Sequence, residues 1–280
     1  MIDDDTLRRL MTEDVPYGDL TTDLLGIGPQ PGRIAFSARG AMVACATEEA
    51  ARLFELAGAR LVGQVIPSGT VVTADAPLLM AEASAYVLHR VWKVAQVLVE
   101  TLSGIASATR ALVDAARAVN PTIAVACTRK SFPGTRTLSV RAIMAGGATP
   151  HRLGLSDSLL VFAEHRLFLP AGVPLSEWVG RLKRSAPERK MAVEVGSVED
   201  ALAFARAGVD TLQLEKFTPE AVYAVVEEVR RIAPGLVVVA AGGIDVHNAA
   251  LYAGTGAGVL ATSAPYHAKP ADVRVSFSGH

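Results

Sequence analysis

MAVEVGSVEDALAFARAGVDTLQLE, residues 191–215, contains the smallest repeat of the fold. MAVEV (191–195) is a short, nearly continuous apolar run and reads as a buried strand. SVEDALAFARAG follows as a helix, with Ser197 placed to cap its first turn. DTLQLE (210–215) then reads as a second strand. Strand, helix, strand with both strands apolar implies neighbouring parallel strands covered by helices.

The same rhythm extends in both directions. Further strands are expected in IAVACT (123–128), DSLLVF (157–162), LVVVAA (236–241) and GVLATS (258–263). Between them LSVRAIMAGGA, SEWVGRLKRSA, TPEAVYAVVEEVRRIA (with Thr218 as N-cap) and DVHNAALYAGTG read as helices. Repetition of this kind predicts a (β/α) barrel, whose chemistry sits at the C-terminal ends of the strands. Those ends carry Thr128-Arg129-Lys130, Phe162 with Glu164 and His165 beyond it, Glu194, Glu215-Lys216, Gly242-Gly243 and Thr262-Ser263.

The first 85 or so residues differ. DDDTLRRLMTEDV reads as a starting helix and PYGDLTTDLL as a loop. RIAFSARGAMVACA holds two strand-like runs around Arg39-Gly40, a hairpin signal. Residues 47–58 form an amphipathic helix with Thr47 as N-cap and Gly58 as stop. RLVGQVI, TVVTADA and PLLMAEA read as short strands. AYVLHRVWKVAQVLVETL is a helix, and IASATRALVDAARAV a second helix after Gly104.

Half of the 280 residues are apolar and the formal net charge is −1, enough for a sizeable core in one or two domains. No basic surplus points to nucleic acid, and no apolar run approaches a membrane span. The acidic N-terminal stretch is unlike a secretory signal, so a cytoplasmic protein is expected. The two cysteines, Cys45 and Cys127, lack metal-ligand spacing and read as buried small hydrophobes.

Two adjacent cations after a buried strand face desolvation unless anions meet them. Arg129 and Arg152 can grip a carboxylate or phosphate through two N–H groups, and Lys130 adds a point charge. In AAGGID the glycine pair can bring backbone N–H groups up to a phosphate at a helix start. Glu194 and Glu215 suit Mg²⁺ or sugar hydroxyls. Lys93 shares a polar helix flank with Arg90, Gln96 and Glu100, so its pattern alone reads as a solvated face.

Motifs then narrow the choice. EDVPYGDLTTDLL (13–25), LSGIASATR (102–110), TRKSFPGTR (128–136), GGATPHRLGL (146–155), AVEVGSVEDA (192–201) and AAGGI (240–244) stand in the order and spacing of the quinolinate phosphoribosyltransferases. The resemblance covers nearly the whole chain. It is strongest to a branch of pyrophosphorylases associated with molybdenum-transport genes, through RVWKVAQVLVE, ACTRKSFPGTR and ATSAPYHAKPAD.

The resemblance implies an α/β protein with an N-terminal α/β sandwich domain (1–104, with the tail 266–280 returning to it) and an open seven-stranded α/β barrel (105–265). It implies a homodimer with shared active sites, or an oligomer of such dimers. Lys93 then stands where the family places an arginine that reaches the partner's substrate. The implied reaction transfers phosphoribosyl from phosphoribosyl pyrophosphate to an aromatic acid-like acceptor with Mg²⁺, releasing pyrophosphate. Under that resemblance Lys130, Glu194 and Glu215 act at the reacting centre, with Glu194 and Glu215 facing ribose or Mg²⁺. Lys93, Thr128, Arg129, His151, Arg152 and Phe162 bind substrate. Ala241, Gly242, Gly243, Thr262 and Ser263 surround the 5′-phosphate.

The chain also departs from the family pattern. Phe162-Ala163-Glu164-His165 stands where the quinolinate enzymes have Lys-Asp-Asn-His, and Glu215-Lys216 where they have Asp-Asn. Ala241 replaces a serine, and Thr262 a glycine. Losing a cation at the acid site argues for a flatter, less charged acceptor than quinolinate. True quinolinate phosphoribosyltransferase activity in NAD biosynthesis is the alternative. A barrel Schiff-base enzyme using Lys130, and a non-catalytic sensor linked to molybdenum transport, are readings from other classes.

Overall fold

The computed structural model describes residues 2–279. They divide into two units. The first takes the described residues up to Arg110, then Phe132–Gly147, then those from Tyr266 onward; the second takes Ala111–Ser131 and Ala148–Pro265. In this division segment 132–147 groups with the N-terminal residues, as does the C-terminal tail.

In the first unit α1 (Asp4–Asp14) starts on Asp3, whose carboxylate accepts from the Thr6 N–H at 2.8 Å. The stretch expected as a loop contains a helix, α2 (Leu20–Leu25). Asp19 caps it by accepting from the Thr21 and Thr22 N–H groups, and Gly26 ends it at φ 66°. Strands β1 (Pro31–Ala38) and β2 (Met42–Val43) flank Arg39-Gly40 but do not pair with each other. The hairpin expectation therefore fails.

Helix α3 (Thr47–Leu56) follows. Its N-cap is Ala46, at φ 61°, while the Thr47 hydroxyl donates to the Ile66 carbonyl instead of capping. Next come β3 (Arg60–Leu61), β4 (Val71–Val72) and β5 (Pro77–Ser84). β2 pairs with β4, while β1 pairs antiparallel with β5 and β5 with β3. Phe36 of β1 meets Phe54 of α3 edge-on, centroids 5.9 Å apart, in the core of this unit.

α4 (Ala85–Arg117) is one unbroken helix where two were expected. Gly104 does not stop it. A Cβ there would lie 2.3 Å from the Lys269 carbonyl oxygen, so the glycine admits the C-terminal chain against the helix.

β6 (Ala124–Cys127) belongs to the second unit and α5 (Arg136–Ala145) to the first. The second unit then runs β7 (Thr149–Pro150), β8 (Leu159–Val161), α6 (Ala163–Arg166), α7 (Leu175–Ser185), β9 (Met191–Val195), α8 (Val198–Ala207) and β10 (Thr211–Glu215). It ends with α9 (Pro219–Ile232), β11 (Val237–Ala241), α10 (Ala249–Ala253) and β12 (Val259–Thr262). Ser197 and Thr218 cap α8 and α9 as expected, accepting from Asp200 N and Ala221 N. Last, β13 (Val273–Gly279) returns to the first unit and pairs antiparallel with β1.

The sheet of the second unit has the order β7-β6-β12-β11-β10-β9-β8, with every pairing parallel. β7 and β8 are its edges, so the barrel is open. The two-residue β7 was not visible as a separate strand in the sequence. It matters because it carries His151 and Arg152 to the same end as the other six strands.

Candidate active site

All seven strands of the second unit deliver residues to one cavity of about 540 Å³, a size typical of small-molecule sites. β6 ends in Thr128, Arg129 and Lys130, and β7 in His151 and Arg152. β8 gives Phe162, with Glu164 just beyond, and β9 gives Glu194. β10 gives Gln213 and Glu215, β11 Ala241 with Gly242 and Gly243, and β12 Thr262 with Ser263. Of the strand-end residues named from the sequence in this unit, all but His165 and Lys216 line this cavity. Lys93 belongs to the first unit, where it lines an apolar groove with Leu10, Val97, Leu98 and Phe132 and donates to Gln96 Oε1 at 3.0 Å.

Arg152 is 7% exposed and forms no ion pair with any described residue. Its guanidinium carbon lies 5.6 Å from the centroid of the Phe162 ring. Burial, then the Arg129 charge, pull the guanidinium below its ordinary value; Asp157 opposes them. An anion between the two arginines would relieve both effects. Burial first and Arg152 second also hold His151 below the ordinary histidine range. His151 is therefore neutral near neutral pH, a hydrogen-bonding group and not a further cation.

On the other side Glu194 accepts from Gln213 Nε2 at 2.6 Å. Burial raises the Glu194 carboxyl most, with Glu215 and Glu164 adding like charge; the Gln213 hydrogen bond and Lys130 oppose them. Because the folded-state value is raised, the ligand-free chain should lose stability as pH climbs from the ordinary carboxylate value, 4.5, through the raised one. Glu194→Gln should flatten that part of a melting-temperature profile against pH. A profile unchanged by the substitution would show that another group titrates there.

The glycine pair has a specific physical basis at Gly242. Its φ is 87°, and a Cβ there would lie 2.7 Å from Lys216 Cγ and 2.9 Å from both Glu215 Oε1 and Lys216 N. Lys216, itself at φ 60°, donates its N–H to the Ala241 carbonyl at 2.7 Å. The expected helix start directly after the glycines is absent, since α10 begins only at Ala249. Side chains occupy the intervening turn: Asn248 Oδ1 accepts from Asp245 N, and Asp245 Oδ1 from His247 N. Thr262 is also committed, its hydroxyl donating to the Ile244 carbonyl at 2.6 Å. It ties the loops after β11 and β12 together and has no proton left to donate to a ligand.

Phe162 is held by a parallel stack on His165, centroids 5.7 Å apart and planes 18° apart. The Phe162 N–H donates to His165 Nδ1 at 3.0 Å, which leaves the ring proton on Nε2. The sequence reading missed Gln213 and Asp245. A glutamine inside the apolar run TLQLE was the available signal for the first. Cys127 lies beneath the site, its thiol pushed up by burial to about 12, and takes no part as a nucleophile.

The C-terminal and N-terminal domain models of quinolinate phosphoribosyl transferase match residues 105–276 and 19–103. The chain belongs to the quinolinate phosphoribosyltransferase family. It is 52% identical over 250 residues to the Rhodobacter capsulatus protein that carries the name pyrophosphorylase ModD, covering 89% of this chain and 95% of that one. The carboxylating nicotinate-nucleotide pyrophosphorylase of Mycobacterium leprae is 33% identical, covering 94% and 92%. The crystal structure of NadC from Streptococcus pyogenes superposes with a TM-score of 0.89 at 25% identity, covering 99% of this chain and 96% of that one. Within the family the chain is more similar to the ModD pyrophosphorylases, 52% and 38% identical in Rhodobacter capsulatus and Pasteurella multocida, than to the Mycobacterium leprae enzyme.

Proposed function

We propose that the chain transfers the phosphoribosyl group of phosphoribosyl pyrophosphate to a ring nitrogen of an aromatic acid-like acceptor and releases pyrophosphate. One observation carries this reading: a nearly buried Arg152 beside Arg129, without an ion pair among the described residues, lining the same cavity as a carboxylate pair. Such a cavity suits a substrate with anionic ends and a centre that becomes positive. The C1–O bond to pyrophosphate breaks and pyrophosphate leaves with the electron pair. The ring nitrogen's lone pair forms the new bond to C1. Arg129, Lys130 and Arg152 meet the phosphates and the acid group, and Glu194 and Glu215 face the oxocarbenium-like ribose. No side chain has to move a proton, so positioning and electrostatics supply the rate.

Among the described residues there is no cluster of three metal-ligating side chains. Glu194 and Glu215 nevertheless fit Mg²⁺, which commonly takes one or two carboxylates plus substrate phosphates and water. Burial raises Glu194 most, and the like charge of Glu215 and Glu164 that adds to it is what a dication there would offset. Bound Mg²⁺ would neutralise charge on the departing pyrophosphate. A homodimer that completes each site with the partner's Lys93 belongs to the same proposal. It is supported by the half-exposed Val97 and the exposed Phe132 in the groove that Lys93 lines. The proposal places the protein in the cytoplasm, consistent with two free, buried cysteines and with no helix long and apolar enough to cross a membrane among the described residues.

The test is pyrophosphate release by the purified chain with Mg²⁺, phosphoribosyl pyrophosphate and nicotinate or related mono-acids, with light scattering on the active sample. Release dependent on both acceptor and Mg²⁺, from a dimer, is expected. No release with any aromatic acid, quinolinate included, would sink the transferase reading.

A further inference from the structure

Phosphoribosyl transfer to a ring nitrogen changes the charge of the acceptor. The nitrogen gives its lone pair to C1, so a ring that enters neutral leaves as a cation of the pyridinium type. Under the proposed function Glu194 and Glu215 face the ribose. Arg129, Lys130, Arg152 and the partner's Lys93 meet the phosphates and the acid groups, whether the acceptor carries one acid group or two. His151 is neutral. The ring itself still needs a counter-charge as it becomes positive.

Glu164 is placed to supply it. It lines the cavity together with Phe162 and Glu194. It sits in the single turn of α6, which is pinned on both sides: the Phe162 N–H donates to His165 Nδ1 at 3.0 Å, and the two rings stack. The residue is exposed, and its carboxylate makes no hydrogen bond or ion pair with a described residue. Its charge nevertheless acts inside the cavity, where it adds to the rise of Glu194 behind burial and Glu215. A carboxylate in a first helical turn is favourable in its own right, but a helix of four residues offers little of that. In the empty site Glu164 and Glu194 therefore oppose each other, and a cationic ring among them turns that repulsion into attraction.

We propose that Glu164 is a specificity-determining residue of the acceptor site, whose carboxylate stabilises the positive charge that the ring acquires on ribosylation and so selects pyridine-type acceptors. The inference rests on phosphoribosyl transfer to a ring nitrogen, yet its test needs no turnover. Full-length protein is titrated calorimetrically at neutral pH with N-methylnicotinate and with 3-methylbenzoate. The two share shape, methyl group and acid group, and differ in the charge of the ring. N-methylnicotinate is expected to bind about tenfold tighter. Glu164→Gln, which keeps size and removes charge, is expected to cut that preference about fivefold, the scale of one ion pair near a protein surface. Glu164→Asp, which keeps the charge, is expected to retain most of it. A Glu164 that served only as a solvated helix-start residue would leave the ratio of the two affinities untouched in both variants.

Equal binding of the two acids by the natural protein overturns the proposal, and that comparison stands even if a variant misfolds. So does a preference that survives Glu164→Gln, or failure of both acids to bind. Pyrophosphate release tests the reaction separately. Release with nicotinate alongside a preference indifferent to Glu164 would leave the transfer reading standing and remove the role of Glu164. A Glu164-dependent preference without release from phosphoribosyl pyrophosphate would do the reverse.

Discussion

Arg152→Ala should lower kcat/KM for pyrophosphate release by about 100- to 1,000-fold, the usual loss when one preorganised donor to a developing charge is removed. The same substitution should leave the melting temperature of the ligand-free chain unchanged or raise it. Both expectations follow from one arrangement. Arg152 is nearly buried and lies close enough to Arg129 for the two charges to oppose each other, with no ion pair among the described residues. In the empty site its charge is a liability, offset only in part by the Phe162 ring, a contact worth about 0.5–2 kcal/mol. Under the proposed function it would meet an anion where its own burial weakens solvent screening. Arg152→Lys should recover little activity, because an ammonium cannot present two parallel N–H groups to one phosphate or carboxylate. Thermal melts with and without phosphoribosyl pyrophosphate separate the contributions. Ligand-induced stabilisation should shrink in the alanine variant, whereas a purely structural Arg152 would show a lowered melting temperature and normal activity per folded molecule.

The barrel was legible because each strand-helix unit states its period locally. TLQLE and VVVAA are short apolar runs, and Ser197 and Thr218 mark helix starts whatever the tertiary context. The ends of those strands then located most of the site without any knowledge of angle or distance. What failed was set by contacts distant in sequence. Gly104 looks like a helix break until the chain at Lys269–Ala271 is seen pressed against it. The runs around Arg39-Gly40 look like a hairpin, but β1 finds better partners in β5 and β13, the latter more than 230 positions along the chain. Thr47 looks like a cap, yet its hydroxyl is drawn to Ile66. β7 is two residues long and has no pattern to read. Within the site, charge was legible and satisfaction was not. No spacing rule says that the Thr262 hydroxyl is spent on Ile244 or that Gln213 Oε1 is left over.

Phe162→Lys should shift preference toward quinolinate over nicotinate by about 10- to 100-fold, corresponding to the roughly 1.5–3 kcal/mol of a hydrogen bond to a charged group. Phe162 occupies the strand end where the proposed acceptor would sit, lining the cavity with Arg152, which follows β7, and Glu164 at the start of α6. A lysine there would add a further cation to a cavity already lined by Arg129, Lys130 and Arg152. It would also remove the ring that stacks on His165 and lies against Arg152. The ligand-free variant should therefore be less stable, with a like charge brought up to the guanidinium, and quinolinate should restore part of that loss by binding between the two cations. The sign of the coupling is the decisive reading. If electrostatics at this position selects the acceptor, quinolinate gains while nicotinate is unchanged or weakened. If the phenyl ring acts only as packing, both acids lose together. In that case the discrimination lies elsewhere on the carboxylate side of the cavity, with Glu164 as the next residue to neutralise.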